Sequence, residues 1–264
     1  MVRRRAGSAI MSRLVSFRLF GVPVTIQPSF LIIAVLLGWS AGFGSWEVVV
    51  ALVAIVVVSI LIHELGHALV ARSFGAGVEI ELNGLGGLTR WGVTGGQLPP
   101  GKRALVAASG SATGLVFGGL VWLVALTAGP FAGTAGLVVR YLIYVNVFWG
   151  LLNWLPIRPL DGGHLLSALL SKSMPDRAER VAKVIFTLTA ALALVVAIRF
   201  RLIFVGILAA WMLMGEFGAG QRTAPPMRMP TLSYDQEPGE EPWGPVSPAM
   251  GPSDPEPDER ETDH

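Results

Sequence analysis

The sequence predicts an all-α polytopic membrane protein with about six transmembrane helices, a small β-hairpin after the second and a disordered C-terminal tail. Three observations carry that expectation. Of the 264 residues, 52% are hydrophobic and only 14% charged, with a mean hydropathy of +0.60, whereas soluble domains run at roughly a quarter charged. The apolar residues are gathered into runs near the ~20 residues that a helix needs to cross a bilayer. The basic residues sit mainly in connections that a six-span path leaves on one side.

Residues 1–27 form a basic segment that carries Arg3, Arg4, Arg5, Arg13 and Arg18 and no acid, a flank expected to stay in the cytoplasm. A cleaved signal peptide fits it poorly, because the basic stretch is long and is followed by Pro23 and Pro28. Residues 28–218 form the expected six-span domain, with apolar runs at 29–42, 48–71, 104–128, 135–155, 181–198 and 202–217. Six spans place both termini in the cytoplasm. Arg72, Arg90, Lys102 and Arg103 after span two, and Lys172, Arg177, Arg180 and Lys183 around the start of span five, agree with that path; Arg199 and Arg201 dissent.

Between spans two and three, Val78-Glu79-Ile80-Glu81-Leu82 alternates apolar with polar at the period of a strand, and residues 88–93 can pair with it across a glycine-rich turn. Residues 219–264 hold ten prolines and ten acids against Arg222, Arg228 and Arg260. Such a stretch has too few apolar groups to offset the entropy of ordering and is expected to be disordered. Its net charge of −7 leaves +9 for the rest of the chain. That excess suits loops facing anionic lipid, so no nucleic-acid partner is expected. No repeat or nucleotide-binding loop is visible.

The chain has no cysteine, which removes disulfides, thiolate metal sites and cysteine nucleophiles together. A metal site must then draw on His, Asp or Glu. The second span contains Ile62-His63-Glu64-Leu65-Gly66-His67, an HExxH pattern. Residues four apart on a helix differ by only ~40° around its axis, so His63 and His67 face the same way and can share an ion. Glu64 projects about 100° from His63, close enough to serve a water on that ion as its base. Three polar residues so close together in an apolar run are costly in a bilayer and need a compensating partner. His63 lies 15 residues past Val48, about 22 Å into a ~30 Å core and nearer the cytoplasmic face.

Two histidines are too few for a catalytic zinc, which takes three protein ligands and keeps one position open. The acids before the tail are Glu47, Glu64, Glu79, Glu81, Asp161, Asp176, Glu179 and Glu216. Asp161 stands out in Asn153-Trp154-Leu155-Pro156-Ile157-Arg158-Pro159-Leu160-Asp161-Gly162-Gly163. The prolines break the helix and the glycines allow a close turn against another backbone. His164 is the competing ligand by residue type. It lies beyond the glycine turn, where it suits a supporting group or a substrate contact better.

HExxH on the second span with NxxPxxPLDGG at the end of a later one resembles the site-2 protease family of intramembrane metalloproteases. The resemblance is carried by the stretch from about Ala51 to Leu165, and the compact branch is implied, with no PDZ or CBS-like insertion in view. It implies one Zn2+ held by His63, His67 and Asp161, Glu64 as catalytic base, and cleavage of the transmembrane helices of single-span membrane proteins near the cytosolic face. It further implies that Asn153 binds substrate backbone or the oxyanion; Asn153 equally fits carbonyls freed by Pro156. Many relatives have a Gly-Pro step and an Asn in the third span where this chain reads Ser109-Gly110-Ser111-Ala112-Thr113-Gly114, so no polar role is assigned there. Val78, Ile80 and Leu82 are expected on an edge strand that pairs with an unwound substrate segment. The partners expected are therefore such substrates and the lipid bilayer, with the oligomeric state left open. A non-enzymatic adaptor and a small transporter are the competing classes. The retained base Glu64 argues against the first, and the convergence of polar groups on one ion against the second.

Overall fold

The computed structural model describes residues 14–40, 45–84, 86–94 and 96–218. The tail expected at 219–264 and most of the basic N-terminal arginines lie outside them. The described chain runs β1 (Val15–Leu19), β2 (Val22–Ile26), α1 (Pro28–Ser40), α2 (Trp46–Ser73), β3 (Gly77–Asn83), β4 (Gly86–Gly92), α3 (Pro100–Ala128), α4 (Gly133–Asn153), α5 (Asp161–Ser173), α6 (Ala178–Arg199) and α7 (Ile203–Gly218).

Four of these helices, α2, α3, α4 and α6, are long and apolar enough by length and composition to cross a membrane. They coincide with the second to fifth expected spans. The first and sixth fall on α1 and α7, of 13 and 16 residues. At 1.5 Å per residue these reach about 20 and 24 Å, short of a ~30 Å hydrocarbon core. α5 is an extra helix of 13 residues placed after the chain break that follows α4. α3 packs against α2, α4 and α5, while α6 packs against α5 and α7. The outward faces of the long helices are apolar, as at Trp122, Val124 and Leu126 on α3 and Leu188, Leu192 and Val195 on α6. Lipid is the medium that such faces require.

Ser45 starts α2 by accepting a hydrogen bond from the Val48 N–H on its side-chain oxygen, which satisfies one of the helix's orphan donors. The helix ends at Ser73 with Phe74 as its C-cap, and Gly75 follows with φ +81, a left-handed conformation that costs glycine little.

The expected hairpin is present as β3 and β4, but it is half of a four-stranded sheet ordered β1-β2-β3-β4. β1 and β2 come from the segment read as a basic flank. Val15-Ser16-Phe17-Arg18-Leu19 and Val22-Pro23-Val24-Thr25-Ile26 alternate about a turn at Phe20-Gly21, and the arginines and prolines masked that period. Pro23 is tolerated because β2 pairs with β3 only at Val24, Thr25 and Ile26.

This corrects the edge-strand expectation for Val78, Ile80 and Leu82. β3 is an interior strand, antiparallel to β4 along its whole length and parallel to β2 from Ile80 to Leu82. The three side chains are buried, in a core with Val22, Val24, Leu65, Ala68 and Ala71. Their alternation with Glu79 and Glu81 records a buried face and an outer face. Among the described strands, the free edges belong to β1 and β4.

Candidate metal centre

The sheet lies on the C-terminal half of α2. Leu65 and Ala68 belong to the core shared with β2 and β3, so this helix presents His63 and His67 to its other neighbours, α3 and the start of α5. Asp161 is the first residue of α5. His63 Nε2 lies 3.2 Å from Asp161 Oδ2, His67 Nε2 3.2 Å from Asp161 Oδ1, and the two Nε2 atoms 3.2 Å from each other. All three residues offer a ligand atom within 4.8 Å of the others, and no other such group occurs among the described residues.

The residues fit a zinc ion. Bonds of 2.0–2.1 Å in a tetrahedral shell put neighbouring ligand atoms ~3.3 Å apart, close to the spacing observed. His67 Nδ1 lies 2.7 Å from Val106 O and donates to it, which leaves the Nε2 lone pair bare and aimed at the cluster. The Nδ1 atom of His63 is buried without a hydrogen-bond partner. Two imidazole lone pairs and a carboxylate converging in a buried place repel one another unless a cation lies among them.

His67 and Asp161 both depend on glycines. A Cβ at Gly110 of α3 would fall 2.1 Å from His67 Nε2, so only glycine leaves the ring its place. Behind Asp161, a Cβ at Gly162 would meet Trp154 O at 2.2 Å, and one at Gly163 would meet Ile157 O at 2.7 Å. The start of α5 is thus folded directly onto the chain leaving α4, where Leu160 N–H donates to Ile157 O. Ser111 of α3 is fully buried and donates to Asp161 Oδ2 at 2.8 Å. That bond fixes the plane of the carboxylate.

Glu64 is buried at 6% exposure. Thr89 of β4 places its hydroxyl 2.7 Å from Glu64 Oε2. Asn153 ends α4 and is buried, whereas His164 is exposed on α5 and takes no part in the converging group. One turn before His63, Ser59 accepts a hydrogen bond at 2.8 Å from Asn146 Nδ2 of α4, both residues buried. The pair ties the helix that carries His63 and His67 to α4.

The sequence reading missed Ser111, Thr89, Asn146 and the role of Gly110. A signal existed for Ser111, since Ser109, Ser111 and Thr113 put three hydroxyls into an apolar span. Nothing local marked Thr89, which meets Glu64 only through the sheet.

The family model for peptidase family M50 matches residues 130–196, the stretch that includes Asp161. Rip3 of Mycobacterium tuberculosis is 34% identical over 176 residues, covering 60% of this chain and 44% of that protein. Zinc metalloprotease MJ0392 of Methanocaldococcus jannaschii is 29% identical over 163 residues, covering 59% of this chain and 45% of its own length. This chain therefore spans less than half the length of these relatives. The structure of a site-2 protease from Methanocaldococcus jannaschii superposes with a TM-score of 0.58 at 22% identity, covering 80% of this chain and 97% of that one, so the two share a fold.

Proposed function

We propose, from these matches, that this chain is a member of the site-2 protease family and an integral membrane zinc metalloendopeptidase that works within the bilayer. Its substrates are the transmembrane segments of single-span membrane proteins, cut near the cytoplasmic face. The observation that carries this reading is the convergence of His63, His67 and Asp161, with the buried Glu64 next to His63 on a helix long enough to span. The active domain is 28–218 together with the strands that precede it, in a bacterial-type plasma membrane with both termini cytoplasmic.

His63, His67 and Asp161 would hold the zinc, which when bound supplies a Lewis acid and brings a water's pKa towards ~7. Glu64 accepts the proton of the attacking water at its carboxylate and passes it to the leaving amine nitrogen. Ser111 keeps the Asp161 carboxylate in plane, and Val106 O keeps the His67 ring in the tautomer that ligates. Asn153 holds substrate backbone freed when the substrate helix unwinds, since such groups lack partners in lipid. A structural metal site in an adaptor would need no base and would usually close with a fourth protein ligand.

The test is Glu64→Gln in the full chain, purified in detergent and given a tagged single-span substrate. Zinc content should stay at the wild-type level while cleavage stops. Unchanged cleavage would remove the base assignment.

A further inference from the structure

Glu64 is held from outside its own helix. Thr89 Oγ1 lies 2.7 Å from Glu64 Oε2 and 3.1 Å from Glu64 O. We propose that Thr89 is a positioning residue for the catalytic base: its hydroxyl, delivered by β4, holds the Glu64 carboxylate in one rotamer. The inference rests on the protease reading of the site.

A glutamate on a helix has three side-chain torsions to settle, and burial alone does not choose among them. β4 restricts Glu64 twice. At Gly87 the backbone of β4 occupies the space where a side chain would stand, since a Cβ there would fall 2.4 Å from Glu64 Oε1 and 2.6 Å from its Cγ. Two residues on, and so on the same side of the strand, Thr89 supplies the hydroxyl. One hydroxyl proton faces two acceptors, and the carboxylate oxygen is both the nearer and the charged one, which makes it the stronger partner.

The donor is itself rigid. Threonine is branched at Cβ and stiff about its first torsion, and Thr89 sits opposite Ile80 within the long β3–β4 pairing. The neighbouring Arg90 turns instead to Glu81 and Glu79 on the outer face of the sheet. β4 therefore directs an uncharged donor at Glu64, which orients the carboxylate without neutralising it. A hydroxyl that only capped the Glu64 carbonyl would have no reason to lie closer to the carboxylate.

The experiment compares wild type, Thr89→Val, Thr89→Ser and Glu64→Gln, each as the full chain in detergent. Three quantities are read: zinc content, kcat and KM on a tagged single-span substrate, and the affinity of a simple hydroxamate. A hydroxamate chelates the metal and gives its proton to an adjacent carboxylate, so its binding reports the Glu64 position without turnover. Thr89→Val should keep its zinc and its KM while kcat falls roughly ten- to hundredfold, the range seen when supporting groups of metal sites are removed. Hydroxamate affinity should fall by a similar factor, and Thr89→Ser should restore both. Wild-type kcat and hydroxamate affinity in Thr89→Val would overturn the inference, as would loss of zinc or of folding with no rescue by serine. Absence of any cleavage by the wild type would instead reject the protease reading, and the hydroxamate comparison would still decide whether Thr89 positions Glu64.

Discussion

The two histidines and the aspartate reach the same point by opposite routes. His63 and His67 stand in one unbroken helix of 28 residues, so their relation is fixed by the helical repeat before any tertiary contact forms. Asp161 begins a short helix after a chain break, and its place is set by backbone packed on backbone behind it. A ligand pair written into a regular helix depends on its neighbours for room. A ligand on irregular chain depends on them for its position as well.

The difference can be tested with two glycines. Gly162→Ala would drive a methyl group into the carbonyl of Trp154, an atom that cannot rotate aside. It should cost more than the ~1–3 kcal/mol of ordinary overpacking, with a lowered thermal midpoint and lost zinc together. Gly110→Ala meets the His67 ring, which can swing away. It should leave the thermal midpoint of the metal-free protein nearly unchanged and remove zinc alone. Equal thermal losses in the two variants would erase the proposed contrast.

The next largest effect separates two residues of the same short helix. Asp161→Ala should lose most of its zinc and all cleavage, while His164→Ala keeps zinc at the wild-type level, as metal analysis of the purified variants would show. The reverse pattern would move the third ligand three residues along the chain. The smallest effect concerns the hydroxyl behind the carboxylate. Ser111→Ala should weaken zinc binding by about 10- to 100-fold in a competition titration with a chelator, with the fold intact.

The same contrast explains what the sequence made legible. The HExxH spacing and the Pro and Gly flanks of Asp161 are local signals, and the structure brings those residues together. The long apolar runs likewise correspond to α2, α3, α4 and α6. The four-stranded sheet was not legible, because the alternation at 15–26 is short and interrupted by arginine and proline. The edge assignment of β3 failed for a related reason: alternation tells that a strand has one buried face, and says nothing about how many partners flank it. Thr89 and Ser111 were hidden since each acts on a residue brought near only by the finished fold, 25 and 50 positions away.

The parallel seam between β2 and β3 has a consequence for how the chain is threaded. Gln27 N–H donates to Leu82 O, and the Gln27 side chain donates to Glu81 across 54 positions. Between those bonds lie α1, α2, their connections and the first residues of β3. Two strands hydrogen-bonded side by side lie at one level, so the chain that leaves β2 through α1 is obliged to be back beside β2 when α2 ends. The seam closes only once α1 and α2 are both made and the chain has returned to β2. The sheet thus fixes the direction of the helix that carries His63, Glu64 and His67: with α2 reversed, β3 would be left with no partner for its hydrogen bonds along the β2 edge.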